Sequence, residues 1–449
     1  MEDRDVVIIG GGPAGRTIVH MLHASGRKLS VTLIKNEATN ANRCAIPYGI
    51  SGSKPIEKFQ IPNELVTEFG AELVVDRVSK IDPAEKLVYT AGGQTFRYAD
   101  LVLATGARPV IPPIPGIEGE AITPVRSIED LATLRDFATK GQHAVVVGGG
   151  YIGIEVSVAL RQMGLDVTVL EMLPRILLAT IEPEFIDHVE DTLRANGIRV
   201  LTGEKVVAFE HQRDKHVTIR LASGAPLVAD FVVLSAGVAL ETELAEQAGI
   251  KTSRAGICAD THLRTTADNV YTCGDCAEKR SYVTRRPTRG EFGTNAVFMA
   301  KVVARNILGD PVEFPGVINA NATTVYDLSL GSAGLTEQMA RDAGLDVVTG
   351  WSEVPNKYPM MDAVQPIRTK LVFNREDKRL IGGSVMQKGS CAAQAVDFIS
   401  LAIQMGATMD DLGRYQYCTH PELAAKPSDN IYTFATGDAA RNFSRLRNN

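Results

Sequence analysis

Cys44 is the residue on which chemistry would concentrate. It stands in Asn42-Arg43-Cys44-Ala45-Ile46-Pro47-Tyr48-Gly49-Ile50-Ser51-Gly52, a mostly apolar run soon after a glycine-rich N-terminal loop. A thiolate is a nucleophile and a redox centre, and it needs a lowered pKa. A helix N-terminus would help, and Ala45 to Ile50 reads as a short helix with Pro47 in its first turn. A cysteine by itself is most often a buried packing residue. Its functional reading therefore depends on what else the chain carries. Two loops, Gly10-Gly11-Gly12-Pro13-Ala14-Gly15 and Gly148-Gly149-Gly150-Tyr151-Ile152-Gly153, each spell G-x-G-x-x-G. Such a loop lets a pyrophosphate approach the backbone and meet free N–H groups at a helix N-terminus. Two dinucleotide sites are a means of delivering two electrons to Cys44.

The flanking elements have the context that the motif requires. Asp5 to Ile9 is a β-branched run suited to a buried parallel strand, and Arg16 to Ala24 reads as a helix. The second strand, Ser30 to Ile34, ends in Lys35-Asn36-Glu37 where an acidic residue usually holds a ribose. Either Glu37 reaches the ribose or Lys35 touches the adenosine end. Leu101 to Gly106 is an apolar strand ending in Ala104-Thr105-Gly106. Pro109, Pro112, Pro113 and Pro115 then mark a linker and a domain boundary near residue 115.

The second loop repeats this grammar. His143 to Val147 is the strand, Ile154 to Met163 the helix, and Asp166 to Glu171 the next strand with an acidic end. Glu171 follows Gly148 by 23 residues, near the usual spacing of about 20. Its carboxylate would repel a 2′-phosphate, so NADH is favoured, with nearby Arg175 keeping NADPH as the second option. Asp230 to Gly237 is a further apolar strand with a small-residue end, and Asn295 to Leu308 reads as a helix. From Val325 onward the glycine grammar stops. Val325–Leu330, Val347–Trp351, Arg368–Phe373 and Leu380–Met386 read as strands of an antiparallel sheet, and Cys391–Met405 as a helix.

Composition narrows the class. The chain has 449 residues, 45% hydrophobic, with net charge −6, enough for two or three cored domains. No strongly basic stretch points to nucleic acid; Arg285-Arg286-Pro287-Thr288-Arg289 reads as a solvated loop. The N-terminus runs straight into a strand without a signal-peptide pattern, and no apolar run is long enough to span a membrane. A soluble cytoplasmic protein is expected. Six cysteines in a chain of this length do not make a disulfide framework. Cys258, Cys391 and Cys418 read as packing thiols. Cys273-Gly274-Asp275-Cys276 is a lone C-x-x-C, weak evidence for zinc, so no metal site is expected.

The motifs, in this order, resemble those of the flavin-dependent pyridine nucleotide–disulfide oxidoreductases over essentially the whole chain. The resemblance implies an α/β fold with two Rossmann-like dinucleotide-binding domains and a C-terminal α+β dimerisation domain. The FAD domain would be discontinuous, 1–115 and 252–324; the NAD(H) domain would be 116–251 and the dimerisation domain 325–449. It implies FAD at Gly10, Gly12, Pro13, Ala14, Gly15, Thr105, Gly106, Gly237, Gly274 and Asp275, with Lys35 or Glu37 at the adenosine end. Asp275 would bind the ribityl–phosphate region. NADH would take Gly148, Gly150, Ile152, Gly153 and Glu171. Tyr151 would cover the flavin until NADH displaces it, unless it merely packs at the helix start, and Glu155 would lie near flavin and nicotinamide.

Relatives of the two-cysteine type carry a second cysteine five residues on, where this chain has Gly49. The chain thus resembles the single-cysteine branch of coenzyme A-disulfide reductases, persulfide or polysulfide reductases, and NADH oxidases and peroxidases. Oxidases and peroxidases place a histidine in the first glycine loop, where this chain has Pro13. That favours thiol exchange, with coenzyme A disulfide the preferred substrate and Arg16, His20, His23 and Arg43 available for coenzyme A phosphates. The acid–base group would come from the second subunit of a homodimer, as His420 or as Tyr358 and Tyr417. NADH oxidase or peroxidase activity is the alternative. A flavin electron-transfer or redox-sensing protein, with Cys44 incidental, is another.

Overall fold

The computed structural model describes residues 1–212, 216–389 and 392–448. They form two compact units, Met1–Pro113 with Thr123–Lys140 and Leu234–Val317, and Ile114–Ile122 with Gly141–Val233 and Ile318–Asn449.

The first unit is built on a mixed sheet. Strand Glu2–Ile9 pairs in parallel with Val31–Lys35 on one side and Thr95–Leu103 on the other. Glu72–Val75 and Val270–Thr272 extend the parallel part, and Val78–Asp82 and Leu87–Thr90 add an antiparallel edge. The β-branched run 6–9 alternates between faces, as a strand must. Val6 and Ile8 join a core with Ile18, Leu22, Met299 and Val303 from helices Pro13–Ala24 and Gly293–Ile307. Val7 and Ile9 join the opposite core with Ile34, Phe96 and Leu103. Both faces are covered, which explains why this strand reads as continuously apolar rather than alternating.

The second unit holds another parallel set, His143–Val147, Asp166–Glu171 and Ile198–Thr202, with helices Tyr151–Gln162 and Pro183–Ala195. It also contains an antiparallel sheet in the order Asn321–Val325, Leu328–Gly334, Leu380–Lys388, Pro366–Asn374, Val347–Pro355. Helix Ala392–Gln404 packs on this sheet, as does helix Ile431–Asn448. The expected start of the former, Cys391, lies outside the described residues.

One expected strand is corrected. Val325–Leu330 is not continuous: Val325 pairs with Leu328 across a tight hairpin. Tyr326 turns the chain at φ 58°, a conformation uncommon for an aromatic residue. Helices Ile128–Lys140 and Ile431–Asn448 were not foreseen. No helix among the described residues is long and apolar enough to cross a membrane.

Candidate active site

The first glycine loop follows the parallel strand directly. Gly10 sits at φ 119°, and a Cβ there would lie 2.1 Å from the Ala104 carbonyl oxygen. A Cβ on Gly15 would lie 2.0 Å from the Gly10 oxygen. These two glycines let helix and strands close up. Gly12 differs, because its Cβ direction is open. That is the space a pyrophosphate needs against the backbone. Pro13 opens the helix, where its missing N–H costs nothing, and Ala14 is buried behind it.

Three arginines lie near one another: Arg43 acts electrostatically on both Arg16 and Arg126. Arg16 is half-buried, and its Nη1 has no hydrogen-bond partner. Arg126 Nη2 is likewise buried and makes no hydrogen bond. Burial pushes the Arg126 guanidinium down to about 10, and neighbouring Arg43 pushes it the same way. Burial and Arg43 also lower Arg16. Arg43 is tied to Glu37 at 2.7 Å. Buried guanidinium donors without acceptors are costly unless an anion completes them. Lys35 is different: its ammonium bonds Asn40 Oδ1 at 2.8 Å, Asn63 Oδ1 and the Ala38 carbonyl. It is buried, with its stem beside Gly11. Glu37, the other ribose candidate, accepts from Arg43 Nη2 at 2.7 Å and from Asn40 Nδ2 at 3.1 Å.

Two further turns border the loop. Thr105 Oγ1 donates to the Glu241 carbonyl at 2.6 Å, and Glu241 N donates to the Gly106 carbonyl at 3.0 Å. Gly237 anchors this edge by accepting from Val110 N at 3.0 Å. The Gly274-Asp275 turn is held from behind by Lys279, only 1% exposed. Its ammonium donates to the carbonyls of Asp275 at 2.9 Å and Ala277 at 3.0 Å. Burial raises the Asp275 carboxyl, opposed by Lys279 and Arg126. Arg126 Nη2 stands 3.9 Å from Asp275 Oδ2. Cys273 and Cys276 are both free thiols, one in each core on opposite faces of the sheet. Burial pushes the Cys273 thiol up, and neighbouring Cys276 pushes it the same way.

Cys44 lies in the 3₁₀ turn Arg43–Ala45, which runs into helix Ile46–Gly49 with Pro47 in its first turn. The thiol is exposed, not packed in the core. Arg135, from helix Ile128–Lys140, clamps the far end of the segment. Its Nε donates to the Gly49 carbonyl at 2.8 Å and its Nη2 to the Lys54 carbonyl at 2.7 Å. At Gly49 a Cβ would lie 2.9 Å from Leu131 Cδ2 and 3.1 Å from the Phe59 ring. Both neighbours are buried. A Gly49→Cys protein is expected to lose about 1–3 kcal/mol from overpacking. Denaturant titration would measure that loss, and thiol counting without reductant would show that Cys44 gains no internal disulfide partner.

In the second unit Gly148 takes φ 114°, and the Cβ direction of Gly150 is open, as at Gly12. Ile152 is exposed and Gly153 buried at the start of helix Tyr151–Gln162. Glu171 accepts from Gly149 N and Leu173 N, both at 2.7 Å. Arg175 is engaged by Glu190 at 3.0 Å and Asp187 at 2.7 Å. Tyr151 and Glu155 both bond to strand Asn321–Val325: the Tyr151 hydroxyl to Asn321, Glu155 to Thr323 at 2.7 Å.

Elsewhere in this unit the structure gathers Tyr358, His420 and their neighbours. Tyr358 Oη is 3.2 Å from Thr419 Oγ1, and its backbone N–H bonds the Pro421 carbonyl. Exposed His420 accepts from Glu422 N through Nδ1 at 3.3 Å. Tyr417 donates to the Pro427 carbonyl at 2.5 Å. Cys418 is exposed on this loop, so its reading as a packing thiol is wrong. Cys258 is half-buried beside Glu278, and burial raises its thiol. His20 and His23 are exposed and flank Phe69, with ring centroids 4.9 and 5.4 Å away. The sequence motifs gave no sign of Arg126, Arg135, Lys279, Asn321 or Thr323.

The two glycine loops, each after a parallel strand and before a helix, define a protein built to hold two dinucleotides. The chain belongs to the pyridine nucleotide–disulphide oxidoreductase family, whose model matches residues 4–300; the dimerisation domain of that family matches 320–430. It is 31% identical over 434 residues to an NADH oxidase of Methanocaldococcus jannaschii, covering 93% of this chain and 95% of that protein. It is 29% identical to the NAD(P)H coenzyme A polysulfide/persulfide reductase of Pyrococcus horikoshii, covering 91% of this chain and 92% of that one. The solved NAD-dependent persulfide reductase of A. fulgidus superposes with a TM-score of 0.93 at 31% identity. That match spans 98% of this chain and 84% of the other. The family implies FAD and NAD(P)H. The residues present fit them: open cradles at Gly12 and Gly150, and buried guanidinium nitrogens without a hydrogen bond at Arg16 and Arg126.

Proposed function

We propose that this chain is an NAD(P)H-dependent reductase of small disulfides, persulfides or polysulfides, with coenzyme A disulfide favoured and Cys44 as its redox residue. The observation that carries this is an exposed Cys44 on a short helical turn, with the position of a second cysteine closed by packing. The names of the Pyrococcus and A. fulgidus relatives support it.

FAD and NAD(P)H, when bound, supply two electrons. In this reading Gly10, Gly12, Pro13, Ala14, Gly15, Arg16, Arg126 and Asp275 hold the flavin nucleotide, with Glu37 at the ribose. Gly148, Gly150, Gly153 and Glu171 hold NADH. The Cys44 thiolate attacks one sulfur of R–S–S–R, forming Cys44–S–S–R and releasing RS⁻. Two electrons and a proton then break the new S–S bond, restoring the thiolate and releasing RSH. A persulfide R–S–S–H follows the same balance, with HS⁻ leaving in the first step. Arg43, next to the thiol, is the nearest basic group in sequence for coenzyme A phosphates. We assign the acid–base role to Tyr358, Tyr417 or His420 of the second copy in a homodimer. We also divide the chain into an FAD domain (1–115 and 252–324), an NAD(H) domain (116–251) and a dimerisation domain (325–449), and place the enzyme in the cytoplasm.

The 31% identical NADH oxidase keeps a second reading, oxygen or peroxide reduction at a Cys44 sulfenic acid. One experiment separates them: anaerobic NADH consumption with coenzyme A disulfide, coenzyme A persulfide or polysulfide, compared with oxygen or peroxide as acceptor. Sulfur compounds are expected to react at least about ten-fold faster. Faster turnover on oxygen or peroxide would make it an oxidase or peroxidase.

Nucleotide choice gives a further expectation. Glu171→Ala removes a charged acceptor, and Arg175 stays engaged by Asp187 and Glu190. The KM for NADH should rise about 10–100-fold, the range for hydrogen bonds to a charged group. The KM for NADPH should change much less, because a repulsion is lost together with the acceptor. Steady-state kinetics with both nucleotides checks this.

A further inference from the structure

Tyr151 and Glu155 lie four residues apart on helix Tyr151–Gln162, so they project from one face. Strand Asn321–Val325 packs against that helix. Its residues 321 and 323 share a sheet face. Four helical residues rise about 6 Å, and two strand residues rise about 6.7 Å. One strand face can therefore register with one helix face. It does so here: the Tyr151 hydroxyl donates to Asn321 Oδ1, and Thr323 Oγ1 donates to Glu155 Oε1 at 2.7 Å.

Asn321 is itself fixed from behind. Its Nδ2 donates to the Asn319 carbonyl at 2.7 Å and to Ser332 Oγ at 3.2 Å. Ser332 Oγ in turn donates to the Thr180 carbonyl at 2.8 Å. The amide is thus turned so that only Oδ1 faces the phenol. Burial pushes the Tyr151 hydroxyl up to about 12, so it remains a donor across the neutral range.

We propose that Asn321 and Thr323 are positioning residues, through which the first strand of the dimerisation-domain sheet sets the rotamers of Tyr151 and Glu155 and so tunes NADH binding. The inference rests on the reading of Gly148–Gly153 as the NAD(P)H loop and of Tyr151 as a residue that responds to the nucleotide. It adds a contribution from outside the nucleotide fingerprint. A strand within the stretch matched by the family's dimerisation domain becomes part of the support for the hydride-donor site.

A double-mutant cycle on the holoenzyme tests it. NADH dissociation constants would be measured for wild type, Asn321→Leu, Tyr151→Phe and the double variant. Asn321→Leu is expected to change the constant about three- to ten-fold when Tyr151 is present, and less than about two-fold in the Tyr151→Phe background. An equal change in both backgrounds, or none in either, overturns the inference. If Tyr151→Phe alters NADH binding and Asn321→Leu does not, the inference fails while the reading of Tyr151 survives. If Tyr151→Phe has no effect, that reading fails as well. Thr323→Val and Thr323→Ser give an independent arm. Valine should lower kcat/KM for NADH about three- to ten-fold, and serine, which keeps the hydroxyl, should restore it to within about two-fold. Equal behaviour of the two variants would sink the Thr323 half.

Discussion

A Cys44→Ser enzyme should lose its turnover of coenzyme A disulfide or persulfide by at least about a thousand-fold, the scale of removing a nucleophile. Serine nearly matches the volume of cysteine, and residue 44 is exposed, so no packing defect should confuse the result. The hydroxyl has neither the acidity nor the redox chemistry of a thiol. Electron transfer from NADH to an artificial acceptor such as ferricyanide should persist, because the glycine loops and Glu171 are untouched. The two assays together make the prediction sharp. Loss of both activities would mean that the substitution damaged nucleotide binding. Retention of both would make Cys44 incidental and favour an electron-transfer or sensing protein. Mass spectrometry of the non-reduced wild type adds a direct readout, since a thiol adduct on Cys44 would name the substrate half.

The closed Gly49 position gives this result its meaning. An enzyme with an internal dithiol stores two electrons on its own sulfurs. Here Leu131 and Phe59 fill the direction in which a second side chain would point, and Arg135 fixes the backbone there. In the disulfide-reductase reading proposed above, the second sulfur arrives with the substrate. Pro13 fits the same picture, because the helix starts at a residue that offers no side-chain acid or base.

The two strand–glycine loop–helix units were legible in the sequence, because their constraints are local. Gly10 and Gly148 take positive φ, and Gly10 also meets the Ala104 backbone at close range, so no other residue type serves there as well. The strand that ends at Glu171 was likewise legible, from its apolar run. What could not be read depends on partners distant in sequence. The Val325–Leu328 hairpin has no glycine, proline or asparagine to announce it, since Tyr326 takes the strained place. Helix Ile431–Asn448 mixes threonine, glycine, asparagine and aspartate, poor helix formers that packing on the sheet overrides. Exposure of Cys44 and Cys418 follows from loop placement, and a cysteine carries no sign of that. Lys35 is the most instructive case. Its position at the strand end was plain, but the bonds of its ammonium to Asn40 and Asn63 depend on side chains that no local motif announces.

Arg126 was equally hidden, and it supports the second large prediction. It lies between the proline-rich segment and helix Ile128–Lys140, in no motif, and folding alone brings it to Asp275. That pairing does not satisfy it. The separation is 3.9 Å, Nη2 remains without a hydrogen bond, and burial depresses the guanidinium to about 10. A buried cation in this state lowers the stability of the protein without cofactor and is compensated when an anion arrives. Arg126→Met keeps much of the stem and deletes the charge. The FAD dissociation constant should rise about 10–100-fold, the range for a charge-assisted hydrogen bond. The melting temperature of the flavin-free protein should stay level or rise, because a guanidinium that its 3.9 Å pairing with Asp275 leaves short of hydrogen bonds has left the interior. These opposite signs distinguish a ligand-binding arginine from a structural one. A structural partner of Asp275 would give unchanged FAD affinity and a lower apoprotein melting temperature. Arg126→Lys, a point charge without the planar fork, should fall between arginine and methionine in FAD affinity. Fluorescence titration of apoprotein with FAD, beside thermal melts of each flavin-free variant, reads both quantities from one preparation.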